Sequence, residues 1–141
     1  MEKKELKWFI ILIAIALVFN IITLTPLIPW QSWLLWNRPS PDKSFFITFE
    51  NNEIILPEAE LEIETGEYIE FAAVSKDVTY GLGIFRDNGT MVFQMQVLPA
   101  RENKFIWKFE EPGYYTIRST EYSGPKHSDM VIENAILVSE N

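Results

Sequence analysis

The side chains best suited to chemistry lie together near the C-terminal end, where Ser119, Ser123, His127 and Met130 fall within twelve residues. His127 is the single histidine, and the chain has no cysteine. A serine beside an imidazole could form a hydrolase dyad, with the histidine taking the hydroxyl proton. No acidic orienter, nucleophile elbow or oxyanion motif accompanies this pair, so hydrolysis is not expected. The lack of cysteine excludes disulfides, thiolate zinc sites, iron–sulfur clusters and a cysteine nucleophile. One histidine cannot build a multi-histidine metal site. A formal charge of −8 and a pI near 4.7 leave too few cations for phosphate contacts, so no nucleic-acid role is expected.

The elements that must position these residues fall into two parts with different charge. Residues 1–37 are net +1, through Lys3, Lys4 and Lys7 against Glu2 and Glu5, while residues 38–141 hold nine basic and eighteen acidic groups, net −9. No charged residue lies between Lys7 and Arg38. The run WFIILIAIALVFNIITLTPL (8–27) is apolar apart from Asn20, Thr23, Thr25 and Pro26. A helix of about 20 residues spans roughly the 30 Å of a bilayer's hydrocarbon core, so a transmembrane helix is expected. A cleaved leader is the rival, but no small-x-small site follows; Pro26, Pro29, Trp30, Trp33 and Trp36 come instead. Lysines before the span place the N-terminus in the cytoplasm and the C-terminal domain on the outer, periplasmic or extracellular side. Trp30, Trp33 and Trp36 are expected at the membrane interface, in contact with lipid. Asn20 is expected to face a helix of a larger membrane partner, because a lone amide turned to lipid is costly.

From residue 44 the pattern changes to short β-rich segments. Strands are expected at 44–49, 58–62, 68–74, 79–85, 91–97, 104–109, 114–118 and 131–138, with Asn51-Asn52, Asp87-Asn88-Gly89 and Pro112-Gly113 as turns. LEIE (61–64) and YIEF (68–71) alternate in the manner of half-buried strands. Eight strands in about a hundred residues suit a Greek-key sandwich or barrel. The expected organisation is a transmembrane helix with its aromatic segment at 1–36, a linker at 37–43 containing NRPSPD (37–42), and an all-β domain at 44–141.

The last third of the chain resembles subunit II of haem-copper oxidases. In that family a cupredoxin sandwich carries a dinuclear copper centre, CuA, with ligands in a C-x-E-x-C-x-x-x-H-x-x-M loop and one histidine upstream in a D-V-x-H-G context. Here the loop is STEYSGPKHSDM (119–130): Ser119 and Ser123 stand at the two cysteine positions, while Glu121, His127 and Met130 keep their register. The upstream segment is DVTYGLGI (77–84), with Tyr80 at the histidine position. LPAREN (98–103) is similar to the family's P-G-R-x-N segment, and PGYYTIRS (112–119) to its P-G-x-Y approach to the first cysteine. A single N-terminal helix is similar to the B-type members. The resemblance thus implies an all-β cupredoxin-like Greek-key sandwich with one transmembrane helix, in which three of six ligand positions are changed.

Ligand chemistry decides what those changes do. A CuA pair needs two bridging thiolates, and a serine hydroxyl does not lose its proton near neutral pH as a metal-bound thiol does. Tyr80 also removes an imidazole, so no copper and no cofactor is expected on this chain. Inherited packing explains the serines, whose hydroxyls are expected to bond to His127, Tyr80 or a trapped water. CuA is the electron entry port of its family; without it, the resemblance implies a non-redox subunit of a quinol-oxidising complex with no catalytic residue of its own. Its partner would be a polytopic subunit I bearing haems and a metal, reducing oxygen or nitric oxide. Two alternatives stay open: a membrane-anchored copper-handling module using His127 and Met130, and a subunit whose acidic surface docks cytochrome c.

Overall fold

The computed structural model describes residues 2–24 and 38–141. The chain divides into two compact units, Met1–Arg38 and Pro39–Asn141. Trp30, Trp33 and Trp36, assigned above to the membrane interface, lie outside the described residues.

In the first unit, α1 runs from Lys3 to Leu24, and its 22 residues are long and apolar enough to cross a membrane. At 1.5 Å per residue it reaches about 33 Å. Leucine, isoleucine and alanine line it on all sides, the composition of a helix surrounded by lipid or other helices. Asn20 and Thr23 turn their side chains back to the helix backbone. Asn20 Nδ2 donates to the Ala16 carbonyl at 2.8 Å and Thr23 Oγ1 to the Phe19 carbonyl at 2.9 Å. One amide hydrogen of Asn20, expected to serve a partner helix, is therefore engaged within α1 itself.

The second unit is a two-sheet sandwich of nine described strands. They are β1 (Lys43–Glu50), β2 (Glu53–Ile55), β3 (Leu61–Glu64), β4 (Tyr68–Ser75), β5 (Tyr80–Arg86), β6 (Met91–Val97), β7 (Glu102–Lys108), β8 (Gly113–Ser119) and β9 (Val131–Ser139). One sheet has the order β2-β1-β4-β7, the other β3-β9-β8-β5-β6. β1 pairs with β4 and β3 with β9 in parallel, and the remaining neighbours are antiparallel. Alternation sends Phe45, Ile47 and Phe49 of β1, and Leu61 and Ile63 of β3, into the space between the sheets. Phe71 sits among the rings of Phe45, Phe93 and Phe109, with centroids 5.5–6.3 Å away. Tyr115 buries its ring against Phe109 and donates its hydroxyl to the Glu111 carbonyl at 2.7 Å, which fixes the approach to β8.

Two strands differ from expectation. β2 was not foreseen, because three residues are too few to show a period. It is a hairpin arm of β1, joined by Asn51-Asn52 with φ of 52° and 59°. Left-handed conformation at both central residues is the geometry that matches strand twist, and asparagine tolerates it. The strand expected at 58–62 instead begins at Leu61. Glutamates alternate with Ala59, Leu61 and Ile63 from Glu58 to Glu64, so the pattern alone could not mark the start. β3 lies at the margin of its sheet, and Glu62 and Glu64 are exposed there.

Candidate functional site

Strand directions gather the candidate residues at one pole of the sandwich. β1 and β8 end there, and β5 and β9 begin there. The pole thus consists of the Asn51-Asn52 turn, the segment 76–79 before β5, the β6–β7 connection and the long β8–β9 connection, 120–130.

Tyr80 is completely buried, its ring stacked on Phe49 with centroids 5.3 Å apart. Its hydroxyl is fully engaged: it donates to Asp77 Oδ2 at 3.0 Å and accepts from the Asn52 N–H at 3.1 Å. Burial pushes the phenol pKa up; the bond from Asn52 opposes this and the Asp77 carboxylate reinforces it. Asp77 also accepts from the Asn51 N–H at 2.8 Å and the Val78 N–H at 2.8 Å. Desolvation raises its carboxyl pKa, but the bonds from Asn51, Val78 and Tyr80 outweigh that and hold it below the ordinary value.

The β8–β9 connection is closed at its base by the Ser119 N–H, which donates to the Met130 carbonyl at 3.0 Å. Ser119 and Met130 are both buried. The Ser119 hydroxyl makes only a long bond, 3.4 Å, to the Glu121 carbonyl. Ser123 Oγ donates to Asn52 Oδ1 at 2.8 Å and lies 3.4 Å from the Met130 sulfur. Contrary to one expectation above, neither serine hydroxyl bonds to His127, and Ser123 is linked to Tyr80 only through Asn52. His127 opens a single 3-10 turn, His127–Asp129, and faces Tyr122 with ring centroids 5.8 Å apart. Its Nδ1 is enclosed and has no hydrogen-bond partner. Tyr122 is itself 77% exposed. A cleft of about 220 Å³ lies alongside, between Asn52, Glu53, Ile54 and the segment from Asp129 to Ile132.

Packing of this connection against β5 depends on two glycines of the DVTYGLGI segment. A Cβ on Gly81 would overlap Thr120 Oγ1, and one on Gly83 would come within 2.5 Å of Thr120 Cγ2. Without side chains, β5 lets the backbone at Thr120 close down, and the Thr120 N–H donates to the Gly81 carbonyl at 3.1 Å.

The structure thus links Tyr80, Ser123 and Met130 into one connected set and ties Ser119 to Met130 through the backbone. His127 and Glu121 lie in the same connection, outside the side-chain relay. Sequence reasoning missed Asn52 and Asp77 as members. Asn51-Asn52 was legible as a turn, but Asn52 meets Ser123 across 71 residues of sequence, a contact that spacing does not encode. Among the described residues, no three histidine, aspartate or glutamate side chains gather into a metal-binding group.

No protein-family model matches this chain, and neither does any curated protein. Solved structures do. Auracyanin B is similar with a TM-score of 0.58 and 10% identity, over 72% of this chain and 92% of that one. A chain from the cryo-EM structure of a haem-copper terminal oxidase dimer is similar with a TM-score of 0.54 and 20% identity, over 98% of this chain and 100% of that one. The periplasmic domain of subunit II of cytochrome oxidase from Bradyrhizobium japonicum is similar with a TM-score of 0.54 and 19% identity, over 73% and 88%. At these identities the likeness is one of fold: the C-terminal unit is a cupredoxin-like sandwich, as the sequence implied.

Proposed function

We propose that this chain is the metal-free, non-redox subunit II of a respiratory haem-copper oxidoreductase. In this reading α1 anchors it with the N-terminus in the cytoplasm, and the sandwich caps the outer face of a polytopic subunit I that carries the haems and metal. Quinol supplies the electrons, and oxygen or nitric oxide accepts them at subunit I. The likeness to an oxidase chain over 98% of this one supports membership of such a complex.

The observation that carries the metal-free part is the engagement of Tyr80. Its hydroxyl stands at a ligand position, yet it is saturated by Asp77 and Asn52 and its pKa is raised by burial. A buried phenol held neutral is a poor metal donor, and Ser119 and Ser123 offer hydroxyls where a copper pair would need bridging thiolates. The side chains present do not fit CuA, so no electron step is assigned to this chain. One observation favours a second reading, a mononuclear copper site: the enclosed, unpartnered Nδ1 of His127, three residues before Met130.

Purification of the native complex tests both. Co-purification with a haem-bearing polytopic chain, no copper on this subunit, and faster turnover with quinol than with reduced cytochrome c are the expected results. Assays under oxygen and then nitric oxide identify the acceptor. Stoichiometric copper on this chain would favour the second reading, and salt-sensitive oxidation of cytochrome c would favour a docking role.

A further inference from the structure

We infer that Asn52 is the clasp of the pole: it fastens the β8–β9 connection to the rest of the sandwich, which is the mechanical work a bound metal would otherwise do. The ligand positions implied by the resemblance lie on two segments only, β5 at Tyr80 and the 119–130 connection. A metal held by them would lock those two segments together. Here, beside the backbone bond from Thr120 to Gly81, the side-chain lock runs through a third element, the β1–β2 turn, which contributes no ligand position.

The bonds form one directed chain. Ser123 donates to Asn52 Oδ1, the Asn52 N–H donates to Tyr80, and Tyr80 donates to Asp77, which also receives the Asn51 N–H. The Tyr80 hydroxyl accepts from Asn52 and donates to Asp77, so those two bonds reinforce one another, while the bond from Ser123 joins them mechanically through the Asn52 side chain. Asn52 is suited to the hub for two separate reasons. Its left-handed backbone, φ 59°, aims the N–H at the Tyr80 hydroxyl, and its side-chain carbonyl reaches Ser123. Asparagine combines tolerance of that backbone with a side-chain acceptor; glycine supplies only the former. Thr120 ties the start of the β8–β9 connection to Gly81 of β5, but from Gly124 to Met130 the connection's own backbone bonds include the short-range pairs His127 to Gly124, Asp129 to Lys126 and Met130 to His127, so this far part needs such a fastening. The pole is therefore complete when the chain folds, with no later loading step.

Amide hydrogen exchange on the full chain in detergent micelles tests this. Asn52→Gly keeps the turn and the backbone bond to Tyr80 but removes the acceptor for Ser123, so folding is preserved. It should speed exchange at His127, Asp129 and Met130 by about tenfold, and Ser123→Ala should do the same. Because both delete one bond, the double variant should be no faster than either single one. Tyr80→Phe should speed exchange of the Asn52 amide, whereas the backbone amide of residue 52 should stay slow in Asn52→Gly once intrinsic rates are corrected. Copper(II) chloride added to the unmodified chain should leave exchange at 127–130 unchanged. Multiplying effects of the two single substitutions, no effect of either, or protection by copper would each overturn the clasp. A missing subunit I in the purified complex would defeat the proposed function and leave this result standing.

Discussion

A carboxylate that accepts several hydrogen bonds is favoured in its charged form, and Asp77 accepts from Asn51, Val78 and Tyr80 at 2.8–3.0 Å. Its folded pKa is therefore depressed, despite the opposing effect of desolvation. For a carboxyl shifted downward on folding, the linked stability is fully present above the unfolded value, about 3.9. It is lost as pH falls through the lower folded value. An NMR titration should place the Asp77 midpoint below that of an ordinary aspartate, and Tyr80→Phe, which deletes one donor, should raise it. An unshifted midpoint that ignores Tyr80→Phe would contradict the geometry at the pole. That Ser119, Ser123, His127 and Met130 lie close along the chain was legible, since they fall within twelve residues. Their partners were not, since hydrogen-bond pairing across the pole depends on which turns the sheets bring together.

At the level of elements, the strand pattern was readable where aromatic and aliphatic residues cluster between turn signals, as in β1, β4 and β5. It failed for β2, whose existence rests on the left-handed pair Asn51-Asn52 and not on any apolar period. The β6–β7 connection holds a further left-handed residue, Ala100, with φ 62°. This position matches the glycine of the P-G-R-x-N segment that the sequence resembles, and the backbone explains why glycine suits it. Asn103 stabilises the connection through its amide, which lies 3.2–3.3 Å from the carbonyls of Ala73, Leu98 and Arg101. An alanine in this conformation carries a strain of about 1–2 kcal/mol, partly offset by the lower entropy of its unfolded chain. Ala100→Gly should therefore raise stability by about 0.5–1 kcal/mol in a urea titration. A loss of stability would mean that the Ala100 methyl makes contacts worth more than the strain.

For the whole molecule, the two units have separate physical foundations. The sandwich encloses its own core, from Ile47 and Phe71 to Ile117 and Val138, while the side chains of α1 are almost all exposed within the described residues. A polypeptide of residues 39–141 should accordingly fold alone, with a midpoint of thermal unfolding within a few degrees of that of the domain in the full chain. Circular dichroism would measure it; a broad or strongly lowered transition would show that residues before 39 contribute to the fold. The sequence itself displays a contrast between the two parts, since charge vanishes between Lys7 and Arg38. Which sheet each strand joins was not visible, since the parallel partners β1 with β4 and β3 with β9 are distant in sequence and alternate alike.

The glutamates on β3 bear on how copies of the domain meet sideways. A strand at the rim of a sheet offers unpaired peptide groups to any passing chain, and proteins confined to a plane collide along their flanks more often than in bulk water. Rows of like charge at that rim repel an identical row within roughly 8 Å at physiological ionic strength, so neighbours slide past one another instead of zipping into ribbons.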